Sequence, residues 1–111
     1  MNWFRTDENG KFLWPGYGEN SRVLKWIFER CDNKAHAKDT PLGRLPEVTD
    51  LDLSGLEMPA ANLAKLLSVD VEGWRAELPL IEKHFAQCGE HLPHGMKEEV
   101  TNLARRLDEA K

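Results

Sequence analysis

Aromatic residues crowd into the start of this chain, and that asymmetry constrains its fold more than any other feature. Of 4 Trp, 4 Phe and 1 Tyr, all but Trp74 and Phe85 fall within residues 1–28. A chain of 111 residues can form one ordinary domain or part of one. Large rings concentrated in the first quarter of the chain, and nearly absent from the rest, indicate a front part that differs in kind from the back.

The first residues carry the signal of a short β-hairpin. Apolar stretches at 3–5 and 11–14 flank the dipeptide Asn9-Gly10. Asn-Gly between two such stretches is a strong turn signal, because both residues tolerate a positive φ. We therefore predict a short N-terminal hairpin or extended pair, followed by a turn at residues 15–18.

A first helix follows that turn and ends near Asp32. Asn20 or Ser21 is the expected N-cap, since both side chains can accept from free backbone N–H groups. Apolar residues at helical spacing predict its buried face: Val23, Leu24, Ile27, Phe28 and Cys31.

Residues 33–57 are rich in Pro and Gly, which indicates loops, with only a weak strand signal at 51–53. Pro59 suits the start of a second helix, which carries Leu63, Leu66 and Leu67. Asp70 is placed to cap a third helix.

The third helix has an amphipathic stripe, formed by Val71, Trp74, Leu78, Ile81 and Phe85. Pro79 should kink this helix and Gly89 should end it. Pro93 precedes a last helix with one apolar face, formed by Met96, Val100, Leu103 and Leu107.

These patterns predict a mainly α fold with about four helices and a short extended front. We expect a single segment with three parts: the hairpin, turn and first helix at 1–32, a loop-rich linker at 33–57, and a helical tail at 58–111.

Charge and composition exclude several classes of partner. The formal net charge is −4 and the sequence pI is about 5.5, whereas general binders of nucleic acid or anionic membranes are basic. No apolar run approaches the roughly 18 residues of a membrane span. Cys31 and Cys88 do not form a disulfide framework for a chain of this size. We expect no nucleic acid, no membrane, and a reducing, cytoplasmic compartment.

One group of residues has the composition of a zinc site: His84, Cys88, His91 and His94. Imidazole and thiolate are zinc ligands, but structural zinc sites usually show tighter paired spacing. Surface histidines near a helix end, where the helix dipole favours cations, are the simpler interpretation. We expect no metal site.

Residues 12–21 are the other candidate for chemistry. Gly16 and Gly18 bracket Tyr17 just before a helix start, which can hold a flat ring against a planar ligand. Asn20 carries an amide donor and acceptor that suit a nucleobase edge. The segment is neither a Walker A loop nor a dinucleotide fingerprint, because the required Gly-Lys-Ser/Thr and third glycine are missing. On these residues alone, an ordinary turn with aromatics packed in a core is favoured.

The same residues, however, resemble a known family. Residues 2–5 and 10–26 closely resemble the guanine-binding segment of GTP-dependent phosphoenolpyruvate carboxykinase. The likeness continues more loosely through 40–43, 51–56 and the later helices. It implies that the chain is a C-terminal piece of a larger α/β enzyme.

The resemblance implies a role for six residues at a guanine site. The rings of Phe4 and Tyr17 stack on the base, and Phe12 lines the pocket. The Asn20 amide reads the guanine edge. Gly18 and Glu19 approach the nucleotide through the backbone. Tyr17 departs from the family, which more often has Phe there; the ring still stacks.

The resemblance also implies a parent reaction. Oxaloacetate is decarboxylated with phosphoryl transfer from GTP to give phosphoenolpyruvate, GDP and CO₂, a step of gluconeogenesis. The phosphate loop, the Mn²⁺ or Mg²⁺ ligands, the substrate arginines and the lid are expected outside this chain, in the remainder of the parent. No catalytic residue is therefore expected here, and the chain alone should be inactive.

Two other classes stay open at this point. One is a stand-alone helical interaction module with an exposed aromatic patch. The other is a small domain stabilised by zinc at the His/Cys group.

Overall fold

The computed structural model describes residues 1–110 and shows a mainly helical chain. Within those residues there are four α-helices: α1 Asn20–Cys31, α2 Ala60–Leu67, α3 Val71–Ala86 and α4 His94–Glu109. Two short strands, β1 Lys38–Thr40 and β2 Gly43–Leu45, pair with each other. Short 3₁₀ turns occur at Tyr17–Glu19, Val48–Asp50 and Gly89–His91. The predicted fold class is confirmed.

The described chain divides into two compact units. The first contains residues 1–39 and 44–68, and the second contains residues 40–43 and the described residues from Val69 onward.

The front of the first unit is an extended pair held by one antiparallel bridge. Thr6 pairs with Phe12, and the Asp7 N–H donates to the Lys11 carbonyl at 2.8 Å. Gly10 has a φ of 80°, which is the conformation expected of glycine in this turn. The predicted hairpin is therefore present in its shortest form.

The regular two-stranded hairpin lies in the middle of the chain, where the sequence predicted only loops. The Thr40 hydroxyl donates to the Gly43 carbonyl at 2.6 Å and accepts from the Leu42 N–H at 3.2 Å. Gly43 has a φ of 115°, which favours glycine. The weak strand signal at 51–53 was wrong, because none of these residues belongs to a strand.

The core of the first unit consists of two apolar clusters. One contains Leu13, Trp14, Val23 and Leu66, with Trp3 and Met58 packed against it. The other contains Trp26, Leu51 and Leu63, against which half-buried residues of the 35–37, 48–53 and 58–67 segments pack. As predicted, α2 buries Leu63 and Leu66.

The buried face of α1 differs from the predicted one. Val23 and Trp26 are buried, while the other predicted face residues are exposed: Leu24, Ile27, Phe28 and Cys31. The Trp26 indole N–H donates to the His36 carbonyl at 3.0 Å, so the ring and the 35–37 segment cover this side of the helix. The face is therefore chosen by the bulk of Trp26 rather than by the aliphatic pattern.

In the second unit, α3 and α4 pack against each other. The Asp70 carboxylate accepts from the Gly73 N–H at 3.0 Å, which confirms the predicted cap. The helix continues past Pro79 to Ala86. Arg75 donates to the Leu107 carbonyl at 3.0 Å and so joins the two helices.

The predicted face of α4 is only partly correct. Leu107 is fully buried, Val100 and Leu103 are half-buried, but Met96 is exposed. None of the helices formed by residues 1–110 has the length and apolar character needed to cross a membrane.

Leu63 should be a main determinant of stability in the first unit. Its side chain is 0% exposed, so Leu63→Ala should lower the free energy of unfolding by about 2–5 kcal/mol through lost burial and a residual cavity. Urea denaturation measures this. The control is Leu24→Ala on an exposed position, which should change stability by no more than about 0.5 kcal/mol; equal losses in the two variants would contradict the described core.

Candidate functional site

Three large aromatic side chains near the N-terminus face solvent. The exposed fraction is 79% for Phe4, 59% for Phe12 and 91% for Tyr17. We call these three residues the aromatic surface. The interpretation of residues 12–21 as a turn with core aromatics is therefore wrong for Phe12 and Tyr17, although it holds for Trp14. Apolar rings left in water are a costly arrangement, which points to a ligand or partner.

The bridge between Thr6 and Phe12 brings two of these rings together. The centroids of Phe4 and Phe12 are 6.4 Å apart and the rings are inclined at 70°, an edge-to-face arrangement. The Phe4 N–H donates to the Asn2 side-chain oxygen at 3.0 Å, which orients the start of the segment. Among the described aromatic pairs, Tyr17 contacts neither ring.

Tyr17 is presented by a tight 3₁₀ turn that depends on Gly16. The Glu19 N–H donates to the Gly16 carbonyl at 3.1 Å. Gly16 has a φ of 144° and a ψ of −177°, a conformation essentially restricted to glycine. Gly18 lies within the turn and needs no such conformation. The two glycines of the sequence motif therefore have different roles.

Asn20 is the first residue of α1 rather than its cap, so the predicted capping role is wrong. Glu19 occupies the N-cap position and makes no side-chain capping bond. The Asn20 side chain is instead held from the core: the indole N–H of Trp14 donates to Asn20 Oδ1 at 2.8 Å. Trp14 is only 2% exposed, so this contact fixes a half-buried amide beside the turn that carries Tyr17.

Arg22 is a positioning residue that the sequence patterns did not reveal. Its Nε atom pairs with the Glu19 carboxylate at 2.5 Å. Its Nη1 atom donates to the carbonyls of Asp52 and Ser54 at 2.7 Å and 3.0 Å. Arg22 therefore ties the start of α1 and the Glu19 side chain to the 52–54 loop. No local pattern predicts this contact, because its partners are backbone atoms 30 residues away.

The 52–54 loop is itself ordered by charge. The Ser54 hydroxyl donates to the Asp52 carboxylate at 2.5 Å and the Ser54 N–H donates at 3.1 Å. These bonds, with smaller contributions from Lys25 and Arg22, lower the pKa of Asp52. The Asp52 carboxylate also lies 3.7 Å from the Lys25 ammonium nitrogen of α1.

The four residues with the composition of a zinc site are not gathered together. They lie at the end of α3, on the following turn and at the start of α4: His84, Cys88, His91 and His94. Across residues 1–110, one set of three possible metal ligands has its ligand atoms within 4.8 Å of one another, and it contains none of these four residues. All four are exposed.

That group of three is His36, Glu47 and Asp50. His36 Nδ1 lies 3.3 Å from an Asp50 oxygen and 3.7 Å from a Glu47 oxygen. The two carboxylates also form the capping box of the Val48–Asp50 turn, where the Glu47 N–H donates to Asp50 at 2.8 Å. Local capping accounts for this arrangement without a metal ion.

Comparison with known proteins decides the family. Residues 1–106 match the family described as "Phosphoenolpyruvate carboxykinase C-terminal P-loop domain". The chain belongs to the GTP-dependent phosphoenolpyruvate carboxykinase family. The match includes the aromatic surface, the Tyr17 turn and all four helices except the end of α4, and it confirms the resemblance carried by residues 2–5 and 10–26.

Relatives named "Phosphoenolpyruvate carboxykinase [GTP]" are similar along nearly the whole chain. The protein of Neocallimastix frontalis is 50% identical over 111 residues, which cover 99% of this chain and 18% of that protein. The proteins of Paenarthrobacter aurescens (45% identical over 96% of the chain) and Treponema pallidum (43% over 97%) are likewise covered for 18% of their length. The chain thus spans about a fifth of the length of these carboxykinases.

The Tyr17 turn should be sensitive at Gly16 and tolerant at Gly18. Gly16→Ala should cost about 1–3 kcal/mol of unfolding free energy, because a Cβ is strained at this φ even though space is open around it. Gly18→Ala is the matched control and should change stability by no more than about 1 kcal/mol. Thermal and urea unfolding of both variants measure the difference; equal effects would mean that the turn does not require the described conformation.

The His/Cys group should hold no stoichiometric zinc. The purified protein should contain well below one zinc ion per chain by elemental analysis, because its four candidate ligands do not converge. The opposite result would be about one ion per chain that is lost in a His84→Ala, Cys88→Ala double variant.

Proposed function

We propose that this chain forms the guanine-binding wall of the GTP site in a full-length phosphoenolpyruvate carboxykinase, called the parent enzyme below. The observation that carries this proposal is the aromatic surface, three exposed rings of which Tyr17 lies on the turn that leads directly into the Asn20 amide held by Trp14. Family membership favours a nucleotide over the protein partner of a stand-alone interaction module.

Stacking on the aromatic surface supplies affinity. A nucleobase presents a flat π-face, and each base–aromatic stack contributes about 1–3 kcal/mol in nucleic-acid-binding proteins. Phe4 and Tyr17 are the proposed stacking rings, and Phe12 lines the pocket beside Phe4. Rings that are costly to expose in the free chain lose that cost when a base covers them.

Directed hydrogen bonds supply the choice of base. Stacking tolerates any base, so the preference for guanine needs donors and acceptors placed against its edge. The Asn20 amide is the proposed reading group, and the backbone at Gly18 and Glu19 is the proposed second contact. The Arg22–Glu19 pair keeps the Glu19 side chain engaged, so the side chain is not the proposed contact.

The parent enzyme is proposed to decarboxylate oxaloacetate and transfer a phosphoryl group from GTP, giving phosphoenolpyruvate, GDP and CO₂. Such transfer depends on positioning and on neutralising charge with metal and cationic groups. The Mn²⁺ or Mg²⁺ ions and the phosphates are proposed to bind residues of the parent outside this chain, so the 111 residues alone should show no turnover.

The proposed compartment is the cytoplasm. Cys31 and Cys88 are both free and exposed in the described chain, and exposed thiols fit a reducing environment.

The Tyr17 ring should supply affinity without base selectivity. In the parent enzyme, Tyr17→Ala should weaken guanine nucleotides by about 1–3 kcal/mol, the scale of one lost stack. Tyr17→Phe keeps the ring and should be nearly silent. Titration of GDP against both variants gives the comparison; a Tyr17→Phe defect as large as that of Tyr17→Ala would assign the effect to the hydroxyl instead.

Asn20 should supply selectivity rather than affinity. Asn20→Ala removes an edge contact, so it should reduce the preference for GTP over ATP more than it weakens nucleotides in general. The measurement is the ratio of kcat/KM for GTP to that for ATP in the parent enzyme and its variant. An unchanged ratio would remove Asn20 from the reading role.

A further inference from the structure

The hydrogen bond between Trp14 and Asn20 determines which way round the Asn20 amide lies. An indole nitrogen can only donate, so the atom that faces it must be an acceptor. Asn20 Oδ1 lies 2.8 Å from Trp14 Nε1 and is that acceptor. Trp14 is 2% exposed and packs with Leu13, Val23 and Leu66, so the indole ring has no room to turn away.

The amino group of Asn20 is consequently the part of the amide left for a ligand. Within residues 1–110 it donates no hydrogen bond to the protein: the bond through Oδ1 is the one its side chain makes. Within residues 1–110, a buried side-chain nitrogen without a hydrogen-bond partner occurs at Trp3 and not at Asn20. The Asn20 amino group, which has no protein partner, is therefore not fully buried. Asn20 therefore presents a donor, with its acceptor already engaged.

A donor at this position distinguishes guanine from adenine. Both purines carry the N7 acceptor, but guanine has an acceptor oxygen on C6 where adenine has an amino donor. The Asn20 amino group can donate a hydrogen bond to the C6 oxygen of guanine. Opposite the C6 amino group of adenine it would face a second donor, and no hydrogen bond would form.

We propose that Trp14 is a positioning residue that sets the preference for guanine by fixing the Asn20 amide with its amino group outward. This rests on the proposed function, in which Asn20 reads the base edge. Without the indole N–H, both orientations of the amide become accessible. The inverted amide turns its oxygen outward and accepts from the adenine amino group.

The test uses a pair of matched tryptophan variants of the parent enzyme. Trp14→Phe removes the indole N–H that holds Asn20. Trp26→Phe is the control, because Trp26 is also buried and also donates through its indole, but to the His36 carbonyl in the other cluster. Steady-state kcat/KM is measured for GTP, for ATP, and for inosine triphosphate, which keeps the C6 oxygen and lacks the 2-amino group.

Trp14→Phe should lower the GTP/ATP ratio by roughly tenfold, the size of effect of one directional hydrogen bond. Part of that change should be a rise in kcat/KM for ATP itself, which simple loss of stability does not produce. The ratio of kcat/KM for inosine triphosphate to that for ATP should fall in parallel, because the proposed contact is to the oxygen on C6 of the purine. Trp26→Phe should leave both ratios unchanged. If Trp14→Phe lowers GTP and ATP equally, the positioning role is overturned.

A second variant decides the question if Trp14→Phe does not fold. Asn20→Asp still accepts from the Trp14 indole but presents an oxygen in place of the amino group. It should move the preference from GTP towards ATP, and a retained preference for GTP would overturn the proposal. The GTP/ATP ratio of the Asn20→Ala variant separates failure of this proposal from failure of the proposed function. If that ratio falls while Trp14→Phe has no effect, Asn20 reads the base without Trp14, and only the positioning role is overturned. If the ratio of Asn20→Ala does not fall, the reading role of Asn20 and this proposal fail together.

Discussion

The rest of the site depends on the packing of Trp14 in the core. Its ring packs with Val23 of α1 and Leu66 of α2, and its indole N–H holds the first residue of α1. One side chain thus joins the extended front of the chain to two helices and orients the amide beside the Tyr17 turn. Packing and hydrogen bonding act together here, because the apolar cluster holds the Trp14 ring in one orientation and so fixes the direction in which its N–H donates.

Two groups of aromatic residues at the front have different tasks. Trp14 and Trp26 are buried, and each satisfies its indole N–H with a protein oxygen. The rings of the aromatic surface are exposed although they lie within a few residues of that core. The buried pair builds a rigid support, and the exposed rings remain available for a planar ligand. Gly16 turns the backbone sharply between the buried Trp14 and the exposed Tyr17.

Sequence patterns predicted the helices well where end signals were strong, as at Asp70, whose carboxylate caps α3. They failed where a single large residue outweighed a pattern: Trp26 turned the buried face of α1 away from Leu24 and Phe28. The β1–β2 hairpin was missed because strands of three residues carry no readable alternation. The site residues came from a family resemblance, since composition alone favoured a buried turn, and the Arg22 contacts needed coordinates because their partners are distant carbonyl groups.

The proposed function requires that guanine binds against the aromatic surface. A crystal structure of the parent enzyme with bound GDP tests it most directly, because it shows which side chains touch the base. We expect the guanine ring to lie against Tyr17 and Phe4, with the Asn20 amino group facing the C6 oxygen and Asn20 Oδ1 still bonded to Trp14. A base bound elsewhere, with Tyr17 and Phe4 left in solvent or covered by protein, would contradict it.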